Sequence, residues 1–129
     1  MERVKVGIKG EAKVQVNETN TAIAYGSGGV AVFATPAMIG LMEKAALESI
    51  DNVLSAGLSS VGTRVDVKHL AATPAGMSVV AKSELLEVDG KRLEFKVEAY
   101  DESGLIGEGT HQRYIVDLEK FISKAQAKK

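Results

Sequence analysis

Two residues in this chain sit where their chemistry demands an explanation. In FATPAMIGLMEKAA, residues 33 to 46, the helical neighbours of Glu43 are Ile39 and Gly40 one turn back and Ala46 and Leu47 one turn on. A carboxylate so placed is either paired with a lysine or arginine from elsewhere, or is kept from water as a stronger base or nucleophile than a surface glutamate. Lys44 has apolar neighbours too, but a lysine stem reaches outward while its head stays wet. In SVGTRVDVKHLA, residues 60 to 71, His69 shares its parity with Val65 and Val67, while Asp66 and Lys68 take the other face. A lone histidine on an apolar face is more often a satisfied core residue than a catalyst. As one of only two histidines, on a strand that a sheet wrapping the helix could bring near Glu43, it is also an acid–base candidate.

Three further positions carry less specific signals. Thr35 followed by Pro36 marks a helix start, with Thr as the N-cap and Pro at the first helical position. A helix N-terminus also favours developing negative charge, which gives Thr35 a second reading at a reaction site. Gly62, without a side chain, lets a ligand approach its backbone closely. Gly107, Gly109, His111 and Arg113 share one strand face, which reads either as a twisted edge with two polar side chains or as room for a ligand. Other chemistry is excluded by spacing: GLIGEG at 104 to 109 is not a dinucleotide fingerprint, and neither a P-loop nor a nucleophilic serine elbow is present.

The elements that must position these residues are legible in outline. Residues 3 to 16 alternate weakly and predict an opening strand or two; GSGG at 26 to 29 is a loop. A helix from Thr35 to about Leu54 carries apolar residues almost all the way round its first half, which predicts that it is enclosed. Strands follow at 60 to 71, 77 to 88, 92 to 101 and 105 to 117, punctuated by Pro74-Ala75-Gly76, Asp89-Gly90 and Glu102-Ser103-Gly104. Leu93, Phe95, Val97 and Ala99 alternate with Arg92, Glu94, Lys96 and Glu98, so that strand has one buried and one solvated face. A short helix with a basic end begins at Leu118. The expectation is an α+β chain, one domain over residues 1 to 129, with an antiparallel sheet wrapped around one long helix.

Composition narrows the function. Hydrophobic residues at 45% and charged residues at 26% are those of a globular domain, and a net charge of −1 offers nucleic acid no attraction. With no cysteine, disulfides, thiolate chemistry and sulfur-ligated zinc are ruled out, and with two histidines a metal would need mostly carboxylate ligands, so a metal-free, cofactor-free cytoplasmic protein is expected. Residues 19 to 42 carry no charge, yet GSGG, Asn20 and Thr35-Pro36 break that stretch into short pieces, and MERVKVGIKG lacks a signal-peptide core. Neither membrane insertion nor export is expected.

FAT at 33 to 35, GLMEKAA at 40 to 46, VGT at 61 to 63, HLAATPAG at 69 to 76, GEGTHQR at 107 to 113 and LEKF at 118 to 121, in this order and spacing, resemble the hotdog-fold acyl-CoA thioesterases, and among them the fluoroacetyl-CoA thioesterase group. The resemblance implies a homodimer, with a dimer of dimers as a further option, whose sheets join edge to edge and whose active sites lie at the dimer interface. It implies hydrolysis of a small or medium acyl-CoA by a threonine, glutamate and histidine, which fall on Thr35, Glu43 and His69. The family's glycine beside the thioester falls on Gly62 and its strand arginine on Arg113, a candidate for CoA phosphates together with the C-terminal lysines. Where the fluoroacetyl-CoA enzyme has an aromatic lid, this chain has Gly28-Gly29-Val30. Two other functions suit the same scaffold: a non-catalytic module holding an acyl-CoA or another apolar ligand, and an enoyl-CoA hydratase, whose paired Asp and His have no counterpart here.

Overall fold

The computed structural model describes residues 3–129. In chain order the elements are β1 (Lys9–Gln15), α1 (Ala22–Tyr25), α2 (Thr35–Asp51), β2 (Leu58–His69), β3 (Ser78–Asp89), β4 (Arg92–Asp101), β5 (Gly104–Asp117) and α3 (Leu118–Gln126). The opening segment resolves into one strand. The other four begin and end within two residues of the predicted ranges, because turn residues and alternation both mark their ends. All five form one antiparallel sheet in the order β1-β3-β4-β5-β2. Asp89 pairs with Arg92 across a two-residue turn that opens with Gly90 at φ 61°, a left-handed conformation glycine adopts without strain.

The core lies between α2 and one face of the sheet. Leu93, Phe95, Val97 and Ala99 of β4 are fully buried, as the alternation predicts, and they meet Met38, Met42, Ala45 and Ile50 of α2. Truncating a side chain such as Phe95 to alanine would cost about 3 to 5 kcal/mol. The expected all-round enclosure of α2 does not hold. Gly40, Lys44 and Glu48 are exposed, and Ile39, Glu43 and Leu47 form a half-buried stripe at i, i+4, i+8. That stripe runs along the border with β2, an edge strand whose residues 62 to 66 are exposed, so its apolar character exceeds what one chain covers.

The ends of α2 also differ from expectation. Its N-cap is Ala34, with no side-chain cap, and Thr35 is the first helical residue. The helix stops at Asp51 rather than near Leu54, where the N–H groups of Val53, in a tighter three-residue turn, and Leu54 both reach the single carbonyl Ile50 O. The short α1 was not foreseen; Thr21 caps it and Gly26, at φ 70°, ends it. α3 is capped by Asp117 and lies exposed on the surface. No helix among the described residues is long and apolar enough to cross a membrane.

Candidate active site

Thr35 and His69 meet where the start of α2 approaches the end of β2. Thr35 Oγ1 and His69 Nδ1 are 2.7 Å apart, a hydrogen bond. Because Ala34 takes the cap position, the threonine hydroxyl is free of backbone duty and available to the imidazole. His69 shares its inward parity with Val67, which packs against the core, although Val65 on that parity is exposed. Burial pushes the His69 pKa below its ordinary 6.5, only partly offset by the backbone of Ala71. Its Nε2 is buried without a well-aligned hydrogen-bond partner. The pair opens on a cavity of about 330 Å³ lined by Gly28, Val30, Val32, Phe33, Ala71 and Ala72. That volume and a mixed lining, with Ser27, Thr35 and His69 among apolar residues, suit a small organic group oriented by a few polar atoms.

Glu43 stands elsewhere. Eight residues of helix advance roughly 12 Å along the axis, and it meets the middle of β2 rather than its end. A Cβ on Gly62 would lie 2.5 Å from Glu43 Oε2 and 3.2 Å from His111 Cε1, so glycine makes room here for protein side chains. Arg113 Nη1 is 3.9 Å from Glu43 Oε2, an ion pair longer than a hydrogen bond. The Glu43 side chain is 40% exposed, so one chain alone does not enclose it in the water-poor cleft its neighbours suggest.

Arg113, expected to reach a CoA phosphate, points inward. It is only 5% exposed, donating from Nε to Ser60 Oγ at 2.7 Å and from Nη2 to Ser60 O at 2.8 Å. Its Nη1 donates to His111 Nε2 at 3.2 Å, and His111 Nδ1 donates to the Arg64 carbonyl at 2.8 Å. Burial lowers the Arg113 pKa, against the pull of Glu43 and Asp51. The room left by the other two glycines of that face is taken by protein: a Cβ at Gly107 would stand 2.5 Å from Met38 Sδ, and one at Gly109 would overlap the Asp66 backbone. Nor is β5 a twisted edge, since it lies between β4 and β2. His111 and Ser60 are the members that sequence reading did not assign. His111 was visible through its shared strand face with Arg113, whereas nothing local distinguishes Ser60 from a surface serine.

One chain therefore brings together Thr35 with His69, and Glu43 with Gly62 and Arg113, as two separate groups. A long helix packed on a five-stranded antiparallel sheet with these two groups along their seam defines a protein of the hotdog fold. The chain belongs to the fluoroacetyl-CoA-specific thioesterase (FlK) family, whose model matches residues 16–119. The fluoroacetyl-CoA thioesterase of Streptantibioticus cattleyicolor is 45% identical over 97 residues, 75% of this chain and 70% of that protein. A solved structure of the fluoroacetyl-CoA thioesterase FlK superposes with a TM-score of 0.91 at 37% identity, covering 98% of each chain. A Thermus thermophilus hypothetical protein, a thioesterase superfamily member, superposes with a TM-score of 0.90 at 28% identity over 98% of this chain and 94% of that one.

Proposed function

We propose that this protein is a cytoplasmic, homodimeric thioesterase that hydrolyses a small or medium acyl-CoA to the free acid and CoA without a cofactor. The observation that carries the reading is the Thr35–His69 hydrogen bond at the mouth of this cavity. The acyl chain occupies that cavity with its thioester carbonyl beside the pair. Glu43 takes a proton from water as it attacks the carbonyl, or attacks the carbonyl itself to form a transient anhydride that water opens. The C–S bond breaks, and the leaving thiolate receives a proton through His69. Gly62 N–H donates to the carbonyl oxygen, a kind of contact worth roughly 2.7 to 4 kcal/mol in the transition state.

The separation of the two groups supports a site shared between protomers. β2 is an edge strand, with Val65 and Leu70 exposed at its outer end. A two-fold antiparallel pairing of β2 with its copy, centred on Val65 or Asp66, sets the partner's Gly62 within one position of His69. The partner's Glu43 travels with it and completes the site. The same contact covers the half-buried stripe of Ile39, Glu43 and Leu47, which explains an apolar helix face that one chain leaves half open.

Free-thiol release measured across acyl-CoA chain lengths tests the activity. A bound acyl-CoA with no thiol released would overturn it in favour of a binding module. Mixing Glu43→Gln with His69→Ala subunits tests the sharing: half of randomly mixed dimers contain one of each, and each of those has one intact site, so about a quarter of wild-type activity returns. No recovery in proven mixed dimers would place the whole site within one chain.

A further inference from the structure

We propose that His111, which no thioester contact requires, is a positioning residue: its neutral imidazole fixes Arg113 and thereby holds the guanidinium off the Glu43 carboxylate. The inference rests on the catalytic role given above to Glu43. Its starting point is that hydrogen-bond directions in the group leave one protonation state. The Arg64 carbonyl can only accept, so His111 Nδ1 carries the proton; a guanidinium can only donate, so His111 Nε2 is bare. Phe95 lies alongside the ring, 6.3 Å between centroids with the planes 29° apart. The imidazole is 1% exposed and cannot turn to solvent.

The consequence falls on Arg113. Ser60 holds its Nε and Nη2 side, and His111 holds one N–H of Nη1. The remaining direction of Nη1 faces Glu43 Oε2 at 3.9 Å, close enough for charge attraction and too far for a hydrogen bond. The carboxylate thus feels a buried cation while its lone pairs stay free for water or a carbonyl carbon. Without an acceptor at His111, only the two Ser60 contacts oppose a shift of Nη1 onto Glu43. A direct charge-assisted hydrogen bond would then occupy the oxygen that has to react. Protonation of His111 produces the same collapse, since a second N–H replaces the acceptor.

The charged groups around the ring come from every element packed on it. Glu43 of α2 and Glu94 of β4 favour its protonation, while Arg113 of β5 opposes it and β2 offers the Arg64 carbonyl. Burial and the guanidinium together keep the ring neutral near neutral pH. Below the ordinary histidine value of 6.5 the hold on Arg113 is lost progressively, and with it turnover.

His111→Leu and His111→Gln separate the acceptor from the bulk of the ring. Glutamine presents an amide oxygen near the Nε2 position that does not titrate. The expected result is a fall in kcat of about tenfold or more in His111→Leu with KM within about twofold, and kcat within about threefold of wild type in His111→Gln, which loses the acid limb due to His111. A wild-type kcat and pH profile in folded His111→Leu would overturn the proposal, as would equal losses in the two variants when both melt like wild type. Two readouts stand apart from turnover. Nitrogen-15 NMR of the wild-type protein at neutral pH should show His111 protonated on Nδ1 alone, and a proton on Nε2 would refute the assignment even if His111→Leu fails to fold. A crystal structure of His111→Leu should show Arg113 Nη1 at hydrogen-bond distance from Glu43, and an unmoved guanidinium would refute it. Because neither depends on thioester cleavage, the absence of activity in the wild type would sink the catalytic reading while leaving these two results to judge the network.

Discussion

The two ends of the α2–β2 contact solve different physical problems with the same pair of elements. At one end Thr35 and His69 are neutral, make one hydrogen bond to each other and open on a cavity. At the other, Glu43 carries a charge whose surroundings are set by a third element, β5, through buried Arg113 and His111. A neutral pair of short side chains needs only that two element ends meet. A carboxylate beside a buried cation needs its partner immobilised, because the Coulomb attraction across 3.9 Å would otherwise draw the two together. The second end is therefore built from more residues and is the more sensitive to small displacements.

That contrast orders the consequences of substitution. On the proposed mechanism Glu43→Gln and His69→Ala each remove a group that moves a proton or attacks, so each should lower thioester hydrolysis at least about a hundredfold with the fold and oligomeric state retained. Steady-state kinetics with size-exclusion chromatography checks both, and full activity in Glu43→Gln would end the base or nucleophile role. Oxygen-18 transfer from water into the carboxylate in a single turnover would then separate nucleophile from base. Gly62→Ala tests the crowded end without removing any functional atom. Its methyl would press on Glu43 Oε2, the far end of a half-exposed side chain that can move aside, and on the buried His111 ring 3.2 Å away at Cε1, so kcat should fall about tenfold and the melting temperature by a few degrees. At the simpler end, Thr35→Ser keeps the hydroxyl and most of the activity, whereas Thr35→Ala loses about tenfold or more. Since Ala34 and not Thr35 is the N-cap, stability in both should stay within about 0.5 kcal/mol of wild type, which chemical denaturation will show.

How much of this was legible in the sequence depends on whether the signal was local. The strands were, because turn residues at 89 to 90 and 102 to 104 and the alternation from Arg92 to Ala99 are read within a few residues. Glu43 and His69 stood out by type against apolar surroundings, Thr35 was marked as a helix start, and motif order pointed to the fold and the family. Their distribution into two groups was not legible. It follows from a helix that advances roughly 1.5 Å per residue and a strand that advances roughly 3.3 Å, running past each other, which spacing along the chain does not encode. The enclosure of α2 was overestimated for a related reason: the apolar positions of Ile39 and Leu47 count toward a face, but whether the sheet of the same chain reaches that face is set by the fold. The inward course of Arg113 was not legible, because a strand arginine looks alike whether its guanidinium faces solvent or a serine on the neighbouring strand.

The smallest effect expected distinguishes the two ends by acid alone. Both histidines are held below the ordinary 6.5 by burial. The unfolded chain therefore binds more protons than the folded one as pH falls through and below that value, and stability present above it is lost on acidification. His111 is 1% exposed and faces a guanidinium, whereas His69 is half-buried beside an exposed threonine, so His111 should contribute more of the loss. Asp101 does not blur the window. Burial pushes its carboxyl up, but the Thr73 hydroxyl and the N–H groups of Ser103 and Gly104 outweigh that and hold it below 3.8, so its stabilisation is present above that value and lost only as pH falls further. Melting temperatures followed from neutral pH down to about pH 5 should fall by a few degrees in the wild type. The slope should flatten in His111→Gln and persist in His69→Gln. The reverse ranking would mean that His69, not the ring beside Arg113, is the more deeply desolvated of the two, and that the charged end of the contact is the looser one.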